Sequence, residues 1–309
     1  MVIGAETDNL EGNDVTMQIS VTPVQETSPL VDFWNDVLAP KISTHRHILV
    51  SAGRQHSNQI IQTIGVQKGD HVLDVGCGFG DTTIDLANLA APEGKALGVD
   101  CCQSFLDHAR KLAKLDRVPN ADFMCCDIET NRPEGIFDVV FARFGTQFFA
   151  NPVAGLRSMR QSLRPGGRIA HMVWRNRTDN PWLTKSREVV ETILPSPGAD
   201  ARTCGPGPFS MADEVTTHAQ MKAAGYTDIH FQRVDAKVLV GRDLQEAINF
   251  QLAIGPAGET FREAGRLGIE RRAEVDAALA RMFSTVELDD EGLWMDSSSW
   301  LITARNPAN

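Results

Sequence analysis

No apolar run in the chain approaches the ~18 residues of a membrane span, so a bilayer-embedded protein is not expected. The N-terminal stretch M-V-I-G-A-E-T-D-N-L-E-G-N-D is acidic and lacks an apolar core of secretory type, which leads us to expect a cytoplasmic protein. Basic charge is in deficit: 30 Lys and Arg against 40 Asp and Glu leave a formal net charge of −10. That balance disfavours a polyanion such as nucleic acid as partner. C-x-x-C spacing is missing as well. The six cysteines are Cys77, Cys101, Cys102, Cys125, Cys126 and Cys204, and their two adjacent pairs fit neither a zinc site nor a secreted disulfide framework. They read first as small buried apolar side chains. The sharper alternative is thiols that touch a cofactor or a thiophilic substrate such as arsenite. No metal-ligating set is visible, and a metal-independent protein is expected. There is no internal repeat.

What is present is organised around Val72–Thr83, V-L-D-V-G-C-G-F-G-D-T-T. A short apolar run breaks into Gly76-Cys77-Gly78-Phe79-Gly80 and resumes with apolar residues at helical spacing. That is a strand, a tight loop and a helix. The glycines allow close approach to a ligand, and the helix start favours a carboxylate or phosphate. A dinucleotide fingerprint reads G-x-G-x-x-G. Here the third glycine comes one residue early, and Asp81 follows it, where a carboxylate would repel a pyrophosphate. Asp74 stands two places before the first glycine.

Asp74, Gly76, Gly78 and Gly80 together resemble the first motif, Asp/Glu-x-G-x-G-x-G, of the class I S-adenosylmethionine (SAM) dependent methyltransferases. Further landmarks follow in order. Lys95–Asp100 reads as a strand ending in an acid about 20 residues past the glycine loop, placed to accept from ribose hydroxyls. Ala121–Asp127 reads as a third strand ending in an acid. Leu163-Arg164-Pro165-Gly166-Gly167-Arg168 precedes a strand at Arg168–Trp174. The last landmark is similar to small-molecule methyltransferases of the type 11, quinone-biosynthesis-like branch. The resemblance implies an α/β, Rossmann-like, mostly parallel seven-stranded sheet with helices on both faces. It covers roughly Gly65–Ala170 well, and Gly225–Ala304 by strand pattern only. The Asp/Asn/Ser-P-P-aromatic motif of nucleic-acid amino-methyltransferases is absent after Ile136–Phe141, a second argument against a base substrate.

The remaining chain is read around that core. Residues 1–28 form a polar, mobile tail. Residues 29–64 form a helical cover: one helix from Ser28-Pro29 that Ala39-Pro40 interrupts, and a second over about 44–64. Residues 65–309 form the transferase domain. Two stretches are too long for ordinary connections and read as caps, about 175–210 and 241–295. Ile229–Val240 and Trp300–Ala304 are the last two strands.

The resemblance implies SAM as cofactor, held by Trp34, Asp74, Gly76, Cys77, Gly78, Gly80, Thr82, Asp100, Cys101, Asp127, Ile128 and Arg143. Asp127 would accept from the adenine amine, and the Ile128 N–H would meet a ring nitrogen. The acceptor is expected to be a small molecule enclosed by the caps. Its wall would include Phe144, Gln147, Phe148, Phe149, Trp174, Trp182 and Phe250. A hydroxyl oxygen is the first choice of receiving atom and an activated carbon the second. A general base, if one is used, is His47, narrowly ahead of His45 on the cover; His171, in mid-strand, ranks last. A homodimer is the candidate assembly. Two other functions stay open: an NAD-dependent oxidoreductase and a non-catalytic SAM-binding regulator.

Overall fold

The computed structural model describes residues 28–198, 201 and 204–308. The tail expected at 1–28 therefore lies outside the described residues, apart from Ser28. Ser28 caps the first helix, its Oγ accepting from the Val31 N–H at 3.2 Å. Helix α1 (Pro29–Phe33) runs through a wide turn, Trp34–Leu38, into α2 (Ala39–Thr44). Pro40 does not break the cover as expected. It sits in the first turn of α2, where a missing N–H is tolerated. Helix α3 (Arg46–Ser57) is shorter than read, and turns occupy 58–64.

The core alternates strand and helix: β1 (His71–Val75), α4 (Asp81–Ala90), β2 (Lys95–Asp100), α5 (Gln103–Leu115), β3 (Ala121–Cys125), β4 (Phe137–Arg143), α6 (Pro152–Gln161) and β5 (Leu163–Trp174). β1 and β4 are buried apolar runs, as suits strands covered on both faces. α5 buries Phe105, Leu106, Ala109 and Ala113, one face at helical spacing. Then come α7 (Pro181–Glu191), α8 (Glu214–Ala224), β6 (Thr227–Gly241), α9 (Leu244–Ala253), α10 (Gly255–Glu263), α11 (Arg266–Glu270), α12 (Arg272–Phe283), β7 (Glu287–Leu288) and β8 (Leu293–Arg305). None of the described helices is long and apolar enough to cross a membrane.

The strands form one eight-stranded sheet ordered β3-β2-β1-β4-β5-β8-β6, with β7 pairing β8. The strands from β3 to β5 are parallel, and β8 is antiparallel to both β5 and β6. The two-residue β7 is the strand beyond the seven expected. Strand order reverses between β1 and β4, so their carboxyl ends open a crevice. Two apolar clusters fill the faces of the sheet. A third joins the caps to Ile48 of α3 and Trp174 of β5.

Strand β8 is far longer than the expected Trp300–Ala304. Its hidden half holds Ser297, Ser298 and Ser299, all buried. Their hydroxyls find partners: Ser297 donates to the Ala236 carbonyl at 2.6 Å, and Ser298 to Asp235 at 2.5 Å. A run of serines carries no apolar alternation, so the strand had no signal in the sequence.

One residue fastens the first cap to the sheet. Asn180 is fully buried; its Nδ2 donates to the Ser298 carbonyl at 2.9 Å, and its Oδ1 accepts from the Ser298 N–H at 3.0 Å. Asn180→Ala leaves both Ser298 backbone groups buried without that partner. We expect it to cost about 2–3 kcal/mol, read as a lower midpoint at unchanged slope in urea unfolding.

Candidate active site

The carboxyl ends of β1, β2, β4 and β5 open into one cavity of about 820 Å³. The cover closes it from one side; α7, α10 and the 204–208 loop close it from the other. Trp34 meets Phe148 edge to face at 4.9 Å across the opening.

The glycine loop bounds one end. Gly76 and Gly78 line the cavity, and both have positive φ, 67° and 53°. Gly76 passes close to the backbone after β4: a Cβ there would lie 3.1 Å from Gly145 Cα. A Cβ on Gly78 would stand in open space on the cavity side. Gly80 serves packing instead, because a Cβ there would meet Ala109 at 2.6 Å and Phe123 at 2.8 Å. Gly80 and Asp74 do not line the cavity. Asp74 lies behind the loop, fully buried, accepting from Thr83 Oγ1 at 2.7 Å. Burial pushes its carboxyl up to about 7, against the Thr83 bond and the Arg143 charge. Its place is that of a tie between β1 and α4.

Asp100, at the end of β2, accepts from the Gly78 N–H and the Cys102 N–H, each at 2.9 Å. Burial raises its carboxyl above the usual range while those N–H groups pull it back. Cys77, Thr82, Cys101, Asp127 and Ile128 line the same end. Asp127 also accepts from the Glu129 N–H at 3.0 Å. This arrangement fits an adenosine ligand: a carboxylate with oxygens at the cavity, a second acid, and a loop that leaves room at Gly78.

A charged corner follows. Arg143 donates to both oxygens of Asp81, at 2.9 and 2.8 Å, and to Ser57 Oγ at 3.1 Å. Arg54 reaches Asp81 at 3.5 Å. The charge of Asp81, which would repel a pyrophosphate if bare, is thus compensated. Gly53 makes this possible: a Cβ there would stand 2.9 Å from the guanidinium carbon of Arg143.

The other end is aromatic. Phe144, with φ 59°, stacks on Trp174 with centroids 3.7 Å apart and planes 7° apart. Trp182 meets Trp174 edge to face at 5.1 Å. Gln147 holds the strand behind them, its Oε1 accepting from the Trp174 N–H at 3.1 Å. Beneath the stack lies His56, fully buried, edge-on to Phe144 and Trp174. The Ser297 hydroxyl proton goes to Ala236, so His56 Nε2–H donates to Ser297 at 2.7 Å. Nδ1 lies 2.9 Å from Ser299 Oγ, whose hydroxyl is also 3.4 Å from the Val234 carbonyl. The ring is neutral, and burial pulls its pKa down to about 4.

The histidines read as bases stand elsewhere. His47 bonds Glu246 at 3.0 Å on the outer side of α9, and His45 packs on Phe250 at 5.7 Å. Neither lines the cavity, and among the described residues no histidine does. For His47 the reason is helical phase: Leu49, Val50, Ala52 and Gly53 turn the inner face of α3 to the cavity, and position 47 falls well off that face; His45 precedes α3, in the turn after α2, where its ring packs on Phe250 of the second cap. His171 is buried within the sheet, its Nδ1 3.1 Å from Thr146 Oγ1. Phe250, read as acceptor wall, lies in the cap core beside Trp182. The remaining aromatics, Phe148 and Phe149 included, do line the cavity. Missed were Glu129, Glu259, Arg177 and Arg187, which line it from loops and caps. Nothing in their local sequence marks them.

Residues 72–167 match a family profile described as a methyltransferase domain. The chain is similar to the ubiquinone/menaquinone biosynthesis C-methyltransferase of Pseudoalteromonas translucida, 25% identical over 230 residues, 71% of this chain and 91% of that one. It is also similar to the demethylmenaquinone methyltransferase of Listeria welshimeri, 30% identical over 147 residues, 47% of this chain and 58% of that one. Among solved structures it resembles in fold the phosphoethanolamine N-methyltransferase 2 of Haemonchus contortus, determined in complex with SAM. The TM-score there is 0.53 at 16% identity, over 91% of this chain and 61% of that one.

The buried histidine has a measurable consequence. Its pKa is lower folded than unfolded, so the folded chain binds fewer protons between about pH 6.5 and 4, and stability falls as pH drops through that window. Asp74 works in the opposite sense but is common to wild type and variant. Between pH 7 and 4 the wild type should lose up to about 3 kcal/mol more than His56→Gln. Denaturant titrations at each pH check this, and parallel curves would remove the histidine from the account.

Proposed function

We propose that the chain is a class I SAM-dependent methyltransferase that methylates a flat, hydroxylated aromatic small molecule. The observation carrying this reading is the acceptor end of the cavity, where Phe144, Trp174, Trp182 and Phe148 present ring faces and edges with no histidine among the described lining residues. Aromatic walls favour an aromatic guest. A site without a histidine base suits a hydroxyl acidic enough to ionise by itself, as a phenol is, over an aliphatic alcohol. We read residues 29–64 as a cover and 65–309 as the transferase domain, with caps over 175–210 and 241–295.

Bound SAM supplies an electrophilic methyl group. In this reading Asp100 takes the ribose hydroxyls, Asp127 and the Ile128 N–H the adenine, and the Gly76–Gly78 backbone the amino-acid portion. Arg143, paired with Asp81 and bonded to Ser57, lines that last portion of the site. Trp34 and Phe148 exclude water. The aromatic end orients the acceptor, and positioning of this kind can supply about 7–11 kcal/mol. His45 and His47 would reach the reaction only if the cover moved; alignment without a histidine is the simpler proposal.

The phenolic oxygen is our receiving atom. A ring carbon beside it is the second reading, because the same anion carries charge there and the Pseudoalteromonas relative is named a C-methyltransferase.

Asp100→Ala should weaken SAM binding by about 1.5–3 kcal/mol, measured by titration calorimetry, and Asp127→Ala by less, since the Ile128 backbone remains. Trp174→Ala should raise the acceptor KM about tenfold or more while leaving SAM affinity nearly unchanged. Screening acceptors by product mass, then locating a ¹³C-methyl by NMR, tests the class and the atom. Turnover confined to aliphatic amines or alcohols would overturn it.

A further inference from the structure

We propose that Asp100, Cys101 and Cys102 form a binding site for a soft, thiophilic divalent cation, and that this cation and SAM exclude one another. One ligand atom from each residue lies within 4.8 Å of the others. A tetrahedral ion with metal–sulfur bonds of about 2.3 Å holds its ligand atoms about 3.8 Å apart. The set therefore closes on an ion by drawing in about 1 Å at most along its widest edge.

The frame is already built. Asp100 is held by the Gly78 and Cys102 N–H groups. Cys102 is the residue before α5, buried with Phe79 and Phe105. The Cys101 carbonyl accepts from Asn35 Nδ2 at 3.1 Å. Asp100 and Cys101 line the cavity, so an ion entering from it meets these two residues first. A third thiol is adjacent: Cys125 pairs in register with Asp100, and its Sγ lies 3.7 Å from the Cys101 carbonyl.

Two thiolates select zinc or cadmium over magnesium and calcium. Binding releases the two thiol protons, and the set of two thiolates, one carboxylate and one dication carries a net charge of −1. The ion would occupy the carboxylate that the ribose needs. The exclusion of SAM rests on the ribose role proposed for Asp100, whereas the metal site does not.

The test is a cadmium titration of the reduced, metal-free full chain, followed by the ultraviolet cadmium–thiolate charge-transfer band. A saturable band at one equivalent is expected in the wild type and in Cys204→Ser. It should vanish in Cys101→Ser/Cys102→Ser. Because Cys102 is buried, Cys101→Ser alone is the safer variant, and should weaken cadmium binding at least about tenfold. With cadmium saturating, SAM binding by calorimetry should be lost and then restored by a chelator, and be indifferent to cadmium in the variants. A wild-type band no larger than that of the double variant would overturn the site. A full band with unchanged SAM affinity would overturn the exclusion, and with it the ribose role of Asp100, while the metal site stood.

Discussion

The Asp100 carboxylate joins the glycine loop after β1 to the turn between β2 and α5. One oxygen takes the Gly78 N–H of the loop after β1, and the other takes the Cys102 N–H at the start of α5. With Asp74 tying β1 to Thr83 of α4, these bonds hold the loop in its positive-φ turn. Backbone N–H groups that are partly cut off from water need partners, and here a single acid supplies two. It keeps further lone pairs for a ligand. The acid ends its strand because both N–H groups lie at the carboxyl edge of the sheet.

The cover is held to that edge by charge on one side and by ring contacts on the other. Arg143 joins Asp81 and Ser57 under α3, in space that Gly53 leaves empty. His56 enters the sheet between two serines of β8 and supports the Phe144–Trp174 stack from behind. Losing one partner of such a buried set is costly, because the other is left unsatisfied. The same contacts that dock α3 thus shape the aromatic end of the cavity.

The two caps meet each other as well as the sheet, α7 packing with α9, α10 and α12 in one apolar cluster that includes Trp182 and Phe250. Of these two aromatics only Trp182 reaches the cavity; Phe250 fills the cap interior. An aromatic in a cap sequence can face either way, and only the packing of the neighbouring helix decides.

How much was legible follows from range. The strand–loop–helix at Val72–Thr83, the acid Asp100 that ends β2, and the parallel core could be read from the chain, because each rests on local periodicity, glycine conformation and spacing; the third strand, read as running to Asp127, stops at Cys125. Those features determined the fold class and the glycine-loop end of the cavity. Tertiary structure alone decided which face of α3 looks inward, which removed His47 from the cavity wall, and set His45, in the turn before α3, against Phe250 of the second cap. It also decided that Ser297–Ser299 are a buried strand, since their hydroxyls are satisfied by residues some 60 to 240 positions away. Asp81 shows the same limit: alone it is a bare charge after a glycine loop, and only the arrival of Arg143, 62 positions on, makes it half of an ion pair. Local sequence encodes backbone preference, but it does not encode which distant side chain will neutralise a charge or accept a proton.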